Sequence, residues 1–187
     1  MSSKVPFGSL ILASALPPTT GKYLFVHSGI GSDGNTGLKP ERPLATVDAA
    51  IGLCTASKGD VIVAMPGHAE TVTATSIAHD VAGVTVYGLG SGALRPTFTY
   101  GAAAATITVS GANGAWRNCR FIANFADVAA AFTLGAAVGC EITDSVFQDV
   151  DSTHNFLSCV VTGSTANAAD GLTVTNCHWM GLALAPN

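Results

Sequence analysis

The stretch AWRNCRF at residues 115–121 is the part of the sequence that decides the fold. It recurs as ITDSVF at residues 142–147 and as LTVTNCHW at residues 172–179. Each copy ends in Asn or Asp, then Cys or Ser, then any residue, then Phe or Trp. A repeat of this kind predicts similar structural units stacked one on the next.

The Asn/Asp position of the repeat predicts a corner between two strands. Asn118 returns as Asp144 after 26 residues and as Asn176 after 32. Asn and Asp tolerate left-handed backbone conformations and hydrogen-bond to nearby backbone, which a sharp bend requires. Stacked units would align these three side chains in a ladder at the strand spacing of about 4.8 Å.

The aromatic position of the repeat predicts the core. Phe121, Phe147 and Trp179 are expected to stack on one side, inside the solenoid. The small Cys or Ser and the large aromatic are expected to alternate between inward and outward positions, because side chains along a strand do so.

Short runs rich in Val, Ile, Thr and Phe fill the chain after residue 66, with Gly, Ala, Asn and Asp between them. Many short strands of this kind are typical of a sandwich, a barrel or a solenoid. The repeat favours the solenoid, so we predict an all-β, right-handed parallel β-helix over residues 23–187. Its C-terminal end is expected either to continue in a longer protein or to be covered by another subunit. Residues 1–22 are predicted to form an N-terminal arm.

One helix is predicted, over residues 44–56, as a cap on the solenoid. Four apolar residues there fall on one helical face: Leu44, Val47, Ile51 and Cys54. Thr46 is a suitable N-cap, and Gly59 a suitable C-terminal stop.

Composition excludes several classes of protein. Hydrophobic residues make up 48% of the chain and charged residues 11%, against about 25% in an average domain. The net charge is −4 and no run of Lys or Arg exists, so a nucleic-acid-binding surface is not expected. No apolar stretch reaches the ~18 residues of a membrane span. The low charge suits a repeat protein, or a subunit whose faces are covered by partners.

The N-terminus allows two interpretations. Lys4, the apolar residues around 7–12 and the Ala-Ser-Ala at 13–15 resemble a secretory signal. Pro6, Gly8 and Ser9 interrupt that pattern, and the apolar part is short. We favour an extended arm that packs on a neighbouring subunit.

Five cysteines are present, an odd number that argues against a complete disulfide framework. None has the CxxC spacing typical of zinc sites. Cys119 and Cys177 hold the same repeat position two units apart, which separates their Cα atoms by roughly 9–10 Å. A disulfide requires about 7 Å or less, so both are predicted to be free, buried thiols.

The N-terminal third resembles a known group of proteins. GSDGNTG at residues 31–37, RPLATVDAAI at 42–51, KGDVIV at 58–63 and PGH at 66–68 are similar to the opening of many pectate-lyase-like β-helix proteins. In that family, a Gly/Asp/Asn loop leads into a short capping helix, a strand follows, and a Pro-Gly turn starts the first coil. The family includes pectate lyases, polysaccharide hydrolases, adhesins, and tailspikes and other virion proteins of bacteriophages.

The acidic candidates for catalysis are Asp144, Asp149 and Asp151, with His154 beside them in sequence. Two carboxylates roughly 5–10 Å apart could cleave a glycosidic bond. The alternative, which we favour on sequence, is that Asp144 is a corner residue and the others solvate a turn. The acidic calcium cluster with a catalytic Arg, and the paired aspartates, that pectin-cleaving members of the family carry are not found.

No metal or cofactor site is predicted. The Asp-Gly-Asn at residues 33–35 lacks the further acids of a calcium loop, which favours a tight turn. The Gly-rich residues 88–92 lead into a strand rather than a helix, so they also indicate a turn and not a phosphate loop.

The sequence therefore predicts a scaffold with little chemistry. We expect a non-enzymatic structural protein of a bacteriophage virion: a head decoration, fibre or spike component. It is expected to form a homo-oligomer, with a trimer as the preferred state. The expected partners are other virion proteins and, in addition, a cell-surface glycan. One alternative is a polysaccharide-degrading enzyme, a tailspike depolymerase or lyase, that uses residues 144–154. Another is a secreted adhesin at the cell surface, if the N-terminal signal is real.

Overall fold

Parallel β-strands make up nearly all of the regular secondary structure in a computed structural model that describes residues 16–74, 77–164 and 168–181. The predicted corner and aromatic columns both fall within these ranges. Most of the predicted N-terminal arm, residues 1–15, lies outside them. No helix in the described ranges is long and apolar enough to cross a membrane.

The strands form three parallel sheets, named here A, B and C. Sheet A contains β1 (Tyr23–Val26), β2 (Val61–Ala64), β5 (Thr85–Gly88), β8 (Ala115–Arg117), β11 (Glu141–Thr143) and β14 (Thr173–Thr175). Sheet B contains β3 (Ala69–Val72), β6 (Thr97–Tyr100), β9 (Arg120–Ala123), β12 (Val146–Asp149) and β15 (His178–Met180). Sheet C contains β4 (Ile77–His79), β7 (Ile107–Val109), β10 (Phe132–Leu134) and β13 (Val160–Thr162).

From β2 onward, consecutive strands lie in sheets A, B and C in turn, so each set of three forms one coil. Within the described residues the coils are β2–β4, β5–β7, β8–β10 and β11–β13, and β14–β15 begin another. Every pairing between named strands of neighbouring coils is parallel. The predicted right-handed parallel β-helix is confirmed.

The connections between sheets differ in length. From β8 onward, sheet A passes to sheet B through two residues: 118–119, 144–145 and 176–177. The connection from sheet B to sheet C grows along the solenoid instead. It takes four residues in the first coil (73–76), then six (101–106), eight (124–131) and ten (150–159). The longest of these connections carries Asp151 and His154.

The two-residue corners place Asn118, Asp144 and Asn176 in one column. Their φ angles are 55°, 54° and 51°, in the left-handed region. Each follows a sheet A strand directly, and those strands pair in register. The side-chain ladder is only partial. Asn176 Nδ2 donates to Asp144 Oδ1, whereas Asn118 Nδ2 donates to the carbonyls of Gly88 and Gly90 at 2.8 and 3.0 Å.

In the preceding coil, Gly88 occupies the position that corresponds to Asn118. A Cβ atom there would lie 2.3 Å from the Asn118 carbonyl oxygen. Glycine is needed because the backbone of the next coil approaches this closely.

The core is a column of aromatic rings in sheet B. Phe98, Phe121 and Phe147 are 0%, 0% and 2% exposed, and their ring centroids are 5.7 and 5.2 Å apart in succession. Trp116 packs edge-on against the column from sheet A. Trp179 continues the register but is 49% exposed. Its predicted burial is wrong, because no described strand of sheet B lies beyond β15.

The small residue of the repeat also faces inward, contrary to the predicted alternation. Cys119 and Ser145 are both fully buried. They precede the aromatic by two residues, and side chains two apart on a strand share a face. The Ser145 hydroxyl donates to the Thr143 carbonyl at 2.9 Å, and the Cys119 thiol to the Arg117 carbonyl at 3.4 Å. This inward hydroxyl or thiol satisfies the backbone at the corner.

The capping helix α1 spans Val47–Gly52, shorter than the predicted 44–56. Thr46 is the N-cap, as expected, and its side chain accepts from Ala49 N. Leu44 belongs instead to an extended segment: its N–H donates to the Phe25 carbonyl, and its own carbonyl accepts from His27 N–H. This segment covers the free edge of β1, so the apolar pattern at Leu44 reflects tertiary packing and not helix.

Acidic side chains hold the cap together. Asp33 Oδ1 accepts from the N–H groups of Ala45 and Thr46 at 2.8 and 2.9 Å. Glu70 Oε2 lies 3.0 Å from the Val47 N–H, at the start of α1, and 3.1 Å from His68 Nε2. The predicted turn at residues 33–35 agrees with these contacts, because the Asp33 carboxylate accepts hydrogen bonds from backbone N–H groups.

Replacing Phe147 with alanine should destabilise the protein by about 3–5 kcal/mol, because it removes a buried ring from the aromatic column. Urea unfolding followed by circular dichroism measures this. Gln148→Ala, at the half-exposed neighbouring position, is the matched control and should change the free energy of unfolding by less than about 0.5 kcal/mol. Equal effects of the two variants would contradict the packing described.

All five cysteines are free thiols. Burial raises the pKa of Cys119 and of Cys159 to about 12. At pH 8, alkylation of the folded protein should therefore be slow at both, since the thiolate is the reactive form. Unfolding without a reductant should release five reactive thiols, counted by mass spectrometry. Fewer than five labels would reveal a disulfide that this structure does not contain.

His79 is buried in the core beside Trp116. Its Nδ1 accepts from Trp116 Nε1 at 3.0 Å, so the ring hydrogen is on Nε2. Nε2 is buried with no hydrogen-bond partner among the described residues. Burial lowers the pKa of His79 from 6.5 to about 4.

This lowered pKa makes folding acid-sensitive. The unfolded chain binds the proton more readily than the folded one, so stability should be full above about pH 6.5 and fall by ~1.4 kcal/mol per pH unit toward pH 4. His79→Asn, whose side-chain oxygen can still accept from Trp116, should flatten that stretch of the stability profile. His178→Asn, at an exposed histidine, should leave it unchanged. A wild-type slope retained in His79→Asn would assign the acid sensitivity to other groups.

Candidate functional site

The structure separates the four residues that sequence grouped together. Asp144 lies at the corner before β12, whereas Asp149, Asp151 and His154 lie at the opposite end of that strand or beyond it. A strand rises about 3.3 Å per residue, so Asp144 and Asp149 are roughly 15 Å apart along it. The Asp144 carboxylate binds Asn176. It belongs to the corner column, and the remaining three form the candidate site.

The connection after β12 is held tightly at both ends. Asp149 Oδ1 accepts from Phe156 N–H at 3.0 Å, and the Val150 N–H donates to the His154 carbonyl at 3.0 Å. Bridges from His154 to Ala126 and from Phe156 to Val128 join this connection to the coil before. The loop is therefore built into the solenoid and positions its side chains.

Asp151 and His154 form a hydrogen-bonded pair. Asp151 Oδ2 lies 2.7 Å from His154 Nδ1. Asp151 Oδ1 accepts from the Thr153 hydroxyl at 2.6 Å and from the N–H groups of Thr153 and His154 at 2.8 Å each. These hydrogen bonds hold the pKa of Asp151 well below its usual range, and the one from the Thr153 hydroxyl contributes most.

The pair fixes which nitrogen of His154 is free. An ionised carboxylate only accepts hydrogen bonds, so Nδ1 carries the hydrogen that points to Asp151. Nε2 then presents its lone pair, and it has no hydrogen-bond partner within the described ranges. The His154 side chain is 42% exposed and that of Asp151 is 43% exposed. Because this much of its surface is exposed, the imidazole is open to a ligand. An oriented imidazole of this kind can act as a general base.

Trp179 adds an aromatic surface beside the loop. Its Nε1 donates to Asp149 Oδ2 at 3.1 Å, and its ring packs edge-on against Phe156 at 6.4 Å between centroids. Both oxygens of Asp149 are thus engaged, one by Phe156 N–H and one by the indole. Asp149 therefore anchors the ring, and the ring offers its exposed half to solvent.

Sequence reasoning missed two members of this site. Thr153 carries no motif that would mark it, and its role follows only from the turn that brings it onto Asp151. Trp179 was assigned to the core by the repeat. In the described residues no strand of sheet B lies beyond β15, and the ring is therefore exposed.

No group of three His, Cys, Asp or Glu side chains in the described part of the chain could hold a metal ion.

Comparison with known proteins gives the fold its context. No family model matches the sequence, and no curated protein matches it. A solved structure of a rhamnogalacturonan lyase is similar to this chain, with a TM-score of 0.56 and 15% sequence identity over 84% of this chain. The alignment covers 56% of that structure, so this chain spans little more than half its length. The likeness shows the fold alone, a parallel β-helix.

Proposed function

We propose that this protein cleaves an acidic polysaccharide, with His154 as the general base. The observation that carries the proposal is the hydrogen-bonded pair of Asp151 and His154, which leaves one imidazole nitrogen free on a loop that the solenoid holds in place. The structural likeness to a protein named as a polysaccharide lyase supports it as well.

The reaction that suits a lone base is β-elimination. His154 Nε2 takes the proton from the sugar carbon next to a uronate carboxyl group. The electron pair of that C–H bond forms a double bond to the neighbouring carbon, whose bond to the glycosidic oxygen breaks. The oxygen takes back the proton from the imidazolium, so no other reactant is needed. Asp151 stabilises the charged imidazolium during this step.

Trp179 serves as the substrate platform in this proposal. The half-exposed indole presents an apolar face on which a sugar ring can stack, and Asp149 fixes its orientation. Trp179→Ala should therefore raise KM more than it lowers kcat, whereas a change at His154 should act mainly on kcat.

Cleavage can be followed by the ultraviolet absorbance of the unsaturated uronate product, with rhamnogalacturonan and polygalacturonate as substrates. We expect His154→Gln to lower kcat by about 10²–10⁴-fold, because it removes the base. Asp151→Asn should also lower kcat, because the amide neither carries the charge nor fixes the same ring tautomer.

His178→Gln, at an exposed histidine on β15, is the matched control and should leave the rate unchanged. Full activity in His154→Gln, or absence of cleavage by the wild-type protein on both substrates, would overturn the proposal.

A second candidate function is a non-enzymatic structural role in a bacteriophage virion, as a head decoration, fibre or spike component in a homotrimer. The observation that favours it is a group of large apolar side chains exposed on the described part of the last coils: Leu157, Val161, Val174, Trp179 and Met180. Such a group is typical of a surface that another subunit covers. Mass spectrometry of purified virions and sedimentation of the isolated protein test this role.

A further inference from the structure

We propose that the outer face of sheet A carries a second site, which binds a neutral sugar. A cavity of about 360 Å³ lies there, within the size range of small-molecule sites, about 300–1,000 Å³. Its lining includes Pro17, Pro18, Thr19 and Thr20 from the segment before β1, and Thr85 and Arg117 from sheet A. Sheet A forms a different wall of the solenoid from the loop that carries His154, so this site does not rest on the proposed cleavage.

The cavity is stable because the segment before β1 is fastened to the solenoid. The Tyr23 hydroxyl donates to the Pro17 carbonyl at 2.8 Å. The Thr19 hydroxyl donates to the Gly59 carbonyl, and the Thr20 hydroxyl donates to the Lys58 carbonyl at 3.1 Å. The two proline rings are thereby held over the sheet, and a ligand would find the wall already formed.

Arg117 and Glu141 give the site its charge balance. Arg117 Nη2 donates to Glu141 Oε2 at 2.5 Å, on the outer face of two adjacent strands. The pair is neutral overall, yet it offers both donors and acceptors. Nη2 is the only Arg117 nitrogen bonded within the described ranges. The guanidinium carries five N–H donors, so a ligand oxygen in the cavity can accept from one that Glu141 does not use.

Free hydroxyl groups complete the pattern. The Thr85 hydroxyl has no hydrogen bond to any described residue. The Thr20 hydroxyl is used as a donor and can still accept. Sugar hydroxyls both donate and accept, and the C–H face of a sugar ring suits the proline rings. A neutral sugar therefore fits better than a carboxylate, which Glu141 would repel, or an apolar ligand, which would leave Arg117 and the threonines unpaired.

Amide chemical shifts of the whole protein, followed by NMR during titration with L-rhamnose and with D-galactose, test this site. Binding should shift the amides of Thr19, Thr20, Thr85 and Arg117. Arg117→Met should weaken binding about tenfold or more, because it removes charged donors, and Thr85→Val should weaken it less. Arg120→Met is the matched control: this arginine lies on sheet B, outside the cavity, and its loss should leave affinity unchanged. Melting curves show whether each variant is folded.

Three results would overturn the inference: no shifts with either sugar, shifts away from the cavity, or unchanged affinity in a folded Arg117→Met protein. Tighter binding of D-galacturonate than of the neutral sugars would overturn the assigned ligand class. His154→Gln should bind both sugars as the wild type does, which separates this site from the cleavage site. A protein that binds neutral sugars but cleaves nothing would support this inference and refute the proposed activity.

Discussion

From β8 onward, the chain turns from sheet A to sheet B within two residues, because Asn118, Asp144 and Asn176 hold a left-handed backbone conformation. A corner of two residues fixes the position of the second strand relative to the first. The strand after it must begin at a fixed residue, and a slip of one position would turn Phe121 or Phe147 toward solvent. The aromatic column, the inward thiol and hydroxyl, and the pairing of successive coils all depend on that backbone geometry.

Sequence reasoning could predict this part of the molecule because the constraint is local. Asn or Asp at the corner and Phe or Trp three positions later are visible as letters in a repeat. The alternation rule failed at Cys119 and Ser145 only because it was applied across an interval of two residues, over which both side chains face the same way. The capping helix was predicted too long for another reason: Leu44 has helical spacing, but it closes the edge of β1, a contact that no local pattern reveals.

The candidate site was harder to predict, since it depends on distances that an extended chain creates. Asp144 and Asp149 are close in sequence, yet the strand between them carries them to opposite ends of sheet B. Asp151 and His154 are close for the opposite reason, because a turn folds them together around Thr153. Acidic residues in this chain also serve the scaffold: Asp33 and Glu70 bind backbone N–H groups of the cap. Their number alone therefore says little about catalysis.

The unequal connections between sheets have a consequence for how such a protein can change. From β8 onward the corner between sheets A and B keeps a constant length of two residues, whereas the connection from sheet B to sheet C extends from four to ten residues with the register of every coil preserved. New loops can therefore be grafted between sheets B and C, coil by coil, while the parallel ladders stay intact. The edge that bears His154 is thus one at which natural variation, or an engineer, is free to add segments.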